Sequence, residues 1–195
     1  MPKYAIPSRF AEATLNSIDP KQFEMVYSYA ENMRSRVAAG EGIILSGPPG
    51  IGKTWAMAGL TLQYTKVATR KDYVFITAPT FFDVYGAFLS TEDGSAWDEY
   101  RACWVATTFE TVPWLVINDL GKEYRGGKLS EQIPYKLGKV LRARSERGLI
   151  THITTNLTPT AFKETYGESI TSLVSENTCF FMVDGPDRRR KEKAD

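Results

Sequence analysis

The sequence holds two cysteines in 195 residues, Cys103 and Cys179. They stand far apart, each among apolar or aromatic neighbours, so the paired spacing of a zinc site is missing and buried reduced thiols are expected. No apolar run approaches the roughly 20 residues that span a bilayer, so no membrane contact is expected. Met1-Pro2-Lys3-Tyr4-Ala5 carries no signal-peptide core, which predicts a cytoplasmic location and leaves the sequon Asn156-Leu157-Thr158 without weight. Excess charge is also lacking. At a formal net charge of +1 there is no global field to draw in nucleic acid, and any such surface must be local. No internal repeat and no linker divide the chain, and 43% hydrophobic with 24% charged residues suits one globular domain with a real core.

What is present centres on Gly47-Pro48-Pro49-Gly50-Ile51-Gly52-Lys53-Thr54. It follows the apolar run Ile43-Ile44-Leu45 and precedes the helix-forming Trp55-Ala56-Met57-Ala58, which is the strand, glycine-rich loop and helix order of a phosphate-binding P-loop. Glycines let successive N–H groups turn into one concavity, where the helix N-terminus adds positive partial charge. Lys53 is then expected to reach the β- and γ-phosphates of a nucleoside triphosphate, and the Thr54 hydroxyl to ligate Mg2+.

In order along the chain, residues 1–18 are polar and turn-rich, an arm more than a domain. Asp19-Pro20 supplies a helix start, and Phe23, Val26, Tyr27, Ala30, Met33 and Val37 recur at helical spacing up to Gly40. The sequence predicts strands at 43–46, 73–77, 114–117, 149–155 and 178–183. Between them it predicts helices from the P-loop to about Arg70, over 81–89, 97–107 and 129–148, and a short one from Thr158-Pro159 interrupted at Gly167. Continuous apolar strands alternating with helices indicate an α/β fold with a mostly parallel five-stranded sheet sandwiched by helices.

Trp114-Leu115-Val116-Ile117-Asn118-Asp119 has the form of a Walker B strand: four apolar residues, then polar groups at the carboxyl end, where open α/β sheets bind ligands. Asn118 can accept a hydrogen bond from a metal-bound water but adds no negative charge against Mg2+. Asp119 is left to serve as base, as Mg2+ ligand, or as both. His152-Ile153-Thr154-Thr155-Asn156 ends the fourth strand in polar side chains that can meet a γ-phosphate or begin a turn before Pro159. His152 itself reads as a packing residue.

Taken with Ile6-Pro7-Ser8-Arg9-Phe10, Asp119-Leu120-Gly121-Lys122-Glu123, Tyr166-Gly167-Glu168 and Gly185-Pro186-Asp187-Arg188, these motifs resemble the DnaC/IstB branch of AAA+ ATPases, over nearly the whole span from Ile6 to Arg188. That branch holds bacterial and phage replicative-helicase loaders and transposition helper ATPases. The resemblance implies an AAA+ P-loop NTPase core at 19–185 with little or no C-terminal lid, an arm at 1–18 and a basic tail at 186–195. It implies ATP and Mg2+ as cofactors, with residues 47–54 and Arg188 around the nucleotide. It makes Asp119 the catalytic acid and Thr155 or Asn156 the sensor of the γ-phosphate. Two positions depart from the family: Asn118 stands where an Asp is usual, and Ser169 and Leu173 where arginines, one of them a finger acting across a subunit interface, are usual. An arginine finger contributes about 10³–10⁵ in rate, so weak intrinsic hydrolysis is expected unless another arginine substitutes.

The partners implied are a hexameric replicative helicase, single-stranded DNA and further copies of the chain through AAA+ interfaces. Helix 20–39 or the arm is the expected helicase contact, with packing onto the sheet as the competing account of that helix. For DNA, Lys136, Lys139, Arg142, Arg144 and Arg147 share one predicted helix, and Lys122, Arg125 and Lys128 the loop before it. Such charges either track a phosphate backbone or are simply solvated. A transposition helper acting on duplex DNA, and a nucleotide-dependent binding module with little hydrolysis, are the alternative functions.

Overall fold

The computed structural model describes residues 5–89, 107–122 and 132–188, excluding the side chains of 86–89. Five strands form one wholly parallel sheet in the order β2-β3-β4-β1-β5: β1 Gly42–Ser46, β2 Tyr73–Thr77, β3 Trp114–Leu120, β4 Ile150–Thr155 and β5 Thr178–Met182. The helices are α1 Glu24–Glu31, α2 Met33–Ala38, α3 Lys53–Val67, α4 Ala78–Leu89, α5 Gln132–Glu146, α6 Pro159–Tyr166 and α7 Glu168–Asn177.

Strand side chains alternate between two cores. Ile43, Leu45, Phe75, Trp114, Val116 and Ile150 face α1, α2 and α3, while Ile44, Val74, Ile76, Leu115, Ile117 and Ile153 face α4 to α7. Burial on both faces is why these strands read as unbroken apolar runs. The first core also takes Ala13 and Ile18, and the turn at 13–15 approaches α3 so closely that a Cβ on Gly59 would stand 3.1 Å from the Thr14 carbonyl carbon.

Several boundaries differ from expectation. The single helix over 20–39 is two, because Asn32 leaves helical geometry while its amide bonds back to the Ser28 carbonyl at 2.9 Å. α3 stops at Val67, where Ala68 turns extended and the Tyr64 hydroxyl takes the carbonyl of Arg70. α4 begins at Ala78, with Pro79 tolerated in its first turn. Cys179 is exposed: β5 is an edge strand, with β1 on one side only. Cys103, Arg125, Lys128 and most of the helix expected at 97–107 lie outside the described residues; a helical turn spans 107–111.

Arg144 is a further correction. It shares α5 with basic residues yet is fully buried, donating to Thr151 Oγ1 at 2.9 Å, to the carbonyls of Phe109 and Val112 at 2.7 and 2.9 Å, and to that of Ile150. Burial pushes its pKa down to about 9, so it stays charged at neutral pH and takes no part in a surface for DNA. It ties α5 to the starts of β3 and β4.

Candidate functional site

The carboxyl ends of β1, β3 and β4 open onto a cavity of about 580 Å3. β1 lies between β4 and β5, so the chain leaves it in one direction towards β2 while its other neighbour is reached later, and a crevice forms at that switch point. The loop after β1 supplies Pro49, Gly50 and Gly52 to the lining, and α3 supplies Lys53, Thr54 and Trp55.

Gly50 and Gly52 hold φ of 86° and 104°, the left-handed region that opens the loop into a concavity at the head of α3. A Cβ on Gly50 would fall 1.8 Å from Asp187 Oδ1, so the segment after β5 lies directly on the loop. Its neighbour Arg188 donates its N–H to the Gly50 carbonyl at 3.0 Å and its guanidinium to Gln22 Oε1 at 2.5 Å. Lys53 is buried, its ammonium donating to the carbonyls of Gly47 and Pro48, both at 2.7 Å, and to Asn156 Oδ1 at 2.8 Å. The end of β4 is thereby joined to the loop of β1 through one charged group.

β3 reaches the cavity through a bulge. Ile117 pairs with Ile153 and Leu120 with Thr155, so Asn118 and Asp119 together oppose Thr154. The Thr154 hydroxyl accepts the Asp119 N–H at 2.9 Å and donates to Asn118 Oδ1 at 2.8 Å. Asp119 takes up φ 63°, a conformation that Asp tolerates better than most side chains. The extra residue splits the pair: Asp119 lines the cavity, Asn118 is buried, and Leu120 joins the α4–α7 core, the face opposite to the one strict alternation would give it. A turn follows, closed by the Lys122 N–H on the Asp119 carbonyl at 3.2 Å with Gly121 at φ 100°, and it returns Lys122 Nζ to Asp119 Oδ2 at 2.7 Å.

Of the expected site residues, the cavity gathers Pro49, Gly50, Gly52, Lys53, Thr54, Asp119, Asn156 and Arg188. Gly47 and Pro48 act through carbonyls that hold Lys53, and Ile51 is buried in the α1–α3 core. Thr155 is fully buried; it donates to the Leu120 carbonyl at 2.7 Å and accepts the Leu157 N–H at 3.1 Å, so Asn156 alone of the two sensor candidates faces the cavity. Asn118 faces Thr154 and does not line it. Arg9, Phe10, Trp55 and Lys122 also line the cavity without having been assigned to it from the sequence. Phe10 meets the Trp55 ring edge-on at 6.2 Å and carries Arg9 at 4.6 Å from its ring centroid. Only Ile6 to Phe10 as a motif marked the first two, and nothing local marked Trp55.

The donor set suits a polyanion. Arg9, Lys53, Lys122 and Arg188 surround one carboxylate, Asp119, at the N-terminus of a 15-residue helix. For Mg2+, the Thr54 hydroxyl and the Asp119 carboxylate are both in the lining, and both are hard oxygen ligands of the kind Mg2+ takes alongside phosphates and water.

Sheet order, glycine-rich loop and bulged strand together give the chain the α/β fold found in AAA+ P-loop proteins. Its fold is that of the helicase loaders: the chain matches a DnaC helicase loader at TM-score 0.73, with 19% identity over 91% of this chain and all of that one. It matches DnaI at TM-score 0.69, with 21% identity over 94% of each chain. Domain III of the replication initiation protein DnaA from Thermotoga maritima matches at TM-score 0.67, with 14% identity over 91% of this chain and 69% of that one. At these identities the likeness is one of fold. No protein-family model matches the chain, and no curated protein matches it in sequence. Among the described residues no helix is long and apolar enough to cross a membrane.

Proposed function

We propose that the chain is an ATP-dependent helicase loader of the DnaC type, which helps to place a hexameric replicative helicase on single-stranded DNA and hydrolyses ATP slowly. The observation that carries nucleotide binding is Lys53, held by two P-loop carbonyls and Asn156 at the mouth of a cavity lined by three further cations, Arg9, Lys122 and Arg188. A γ-phosphate takes the ammonium from Asn156, and that exchange is how the end of β4 senses the triphosphate. Thr54 and Asp119 would hold Mg2+, which neutralises phosphate charge and fixes its orientation. Phe10 and Trp55 offer ring faces and edges to the base. Arg188 moves with the loop because its N–H is bonded to Gly50.

Slow hydrolysis follows from what surrounds Asp119. Among the described residues it is the only carboxylate lining the cavity, and Lys122 occupies one of its oxygens. Ser169 receives Arg142 at 3.1 Å and Leu173 packs against the α4–α7 core, so neither residue brings a cation of its own to a subunit interface. Lys136, Lys139 and Arg142 on α5 and Arg147 in the turn after it remain the candidate contacts to a DNA backbone, the last three exposed. The same pairing of Asp119 favours a second function, a module that assembles with its partner on binding nucleotide and turns it over negligibly.

Retention of a replicative helicase on the immobilised chain, with and without ATP, tests the loader function, and absence of retention in both conditions overturns it. Lys53→Ala removes the charge that three oxygens hold and is expected to weaken ATP binding by about tenfold or more. Unchanged affinity in that variant would refute the site.

A further inference from the structure

Lys122 is a cation of the cavity that the glycine-rich loop does not supply. It stands immediately after the bulged strand, half exposed, with its ammonium 2.7 Å from Asp119 Oδ2. Two left-handed residues, Asp119 and Gly121, and the bond from the Lys122 N–H to the Asp119 carbonyl fix the turn that brings it there. The Thr154 hydroxyl holds the other side of Asp119 by its N–H. The pair is therefore built by the backbone, and it lies inside the lining of the same cavity as Lys53 and Thr54.

We propose that Lys122 is a resident counter-cation of this site: it holds Asp119 until a polyphosphate enters, then passes to the phosphates and releases the carboxylate. The proposal rests on the nucleotide-binding function above. A half-exposed ion pair is weak, whereas a triphosphate offers several negative charges and a crowd of acceptor oxygens, so the exchange runs towards the ligand. Two consequences follow. The cavity carries enough positive charge of its own, from Arg9, Lys53, Lys122 and Arg188, to take a nucleotide without Mg2+. The carboxylate that would serve the metal is presented only after the phosphates have arrived, so Lys122 acts as a positioning residue for Asp119.

The test measures binding of a fluorescent ATP analogue, mant-ATP, in Mg2+ and in EDTA. The wild-type chain is expected to bind in both. Lys122→Ala is expected to weaken binding in EDTA by roughly tenfold and binding in Mg2+ by much less, because the freed Asp119 improves the metal site as the phosphate contact is lost. Lys122→Arg is expected to restore binding in EDTA. Asp119→Asn is expected to tighten binding in EDTA by releasing Lys122, and the gain is expected to vanish in the Lys122→Ala background. Equal weakening of both forms by Lys122→Ala, or the same gain from Asp119→Asn in either background, overturns the counter-cation while leaving nucleotide binding intact. Failure of the wild-type chain to bind mant-ATP in either condition overturns the nucleotide-binding function itself.

Discussion

His152 is the sole histidine of the sequence and is fully buried in β4, so its titration can be isolated by a single substitution. Its Nδ1 accepts the Ile43 N–H at 3.2 Å, which puts the proton of the neutral ring on Nε2, and Nε2 has no hydrogen-bond partner among the described residues. The ring packs 4.1 Å from Trp114 and 5.3 Å from Tyr29, centroid to centroid. Burial, with the Arg144 charge adding to it, pushes its pKa down from 6.5 to about 3. Below 6.5 the unfolded chain takes up a proton that the folded chain refuses. The stabilisation is therefore complete above the unfolded value and is lost as pH falls from 6.5 towards 3. For these two values, lowering the pH from 7.5 to 5 removes about 2 kcal/mol through this group. In a chain of this size that lowers the melting temperature by about 4–8 °C. Urea or thermal unfolding at both pH values measures it, with His152→Gln as comparison because a Gln carbonyl can still accept the Ile43 N–H. Gln does not titrate, and most carboxylates titrate below pH 5, so the variant is expected to be less stable at pH 7.5 but nearly flat across the interval. A His152→Gln chain that loses as much stability on acidification as the wild type would refute the reasoning.

Two further substitutions test how the site is supported. Arg144→Met leaves the carbonyls of Phe109, Val112 and Ile150 without their buried donor and is expected to cost about 3–5 kcal/mol in chemical denaturation, with no change in the salt dependence of DNA binding; a marginal loss of stability would deny it the clamping role. Asn118→Asp buries a carboxylate beside Asp119, so a loss of about 2 kcal/mol and no gain in ATP turnover are expected. Raised turnover would return position 118 to the metal's surroundings.

The P-loop and the sheet were legible in the sequence because both depend on short contiguous signals: glycines at fixed offsets before Lys53, and apolar runs between turn residues. Arg144 was counted from the sequence among the charges that track a DNA backbone or are solvated, and the structure buries it. Its spacing from Leu137, Val140 and Leu141 puts it on the apolar stripe, and that was the available signal. The bulge at Asp119 left no such mark. The sequence reads as a strand over 114–117 that ends in Asn118-Asp119, and only the register against β4 shows that the strand continues to Leu120 with an inserted residue that turns Asp119 outward and Asn118 inward. Thr155 and Asn156 could not be ranked from sequence because a one-residue step reverses the face of a strand, and which face meets the cavity is set by neighbouring strands. The exposure of Cys179 depends likewise on β5 having a neighbour on one side only. Lys122, Arg9 and Trp55 reach the cavity from three separate segments, a convergence no local pattern encodes.

The convergence of Arg9 and Phe10 with Arg188 on one cavity has a kinetic consequence. Residues 5–18 and 183–188 lie outside the sheet; turns and side-chain contacts hold the first, and two backbone hydrogen bonds, Val183 N–H to Ser46 and Arg188 N–H to Gly50, hold the second, so each can open locally without global unfolding. If either opening removes part of the lining, each is opposed by whatever fills the cavity, and at a ligand concentration of 100 times Kd the population of the opened form falls by about a hundredfold. Amide exchange in two stretches separated by most of the chain would then slow together as nucleotide is added. The cavity would thus report its occupancy at two places on the surface at once.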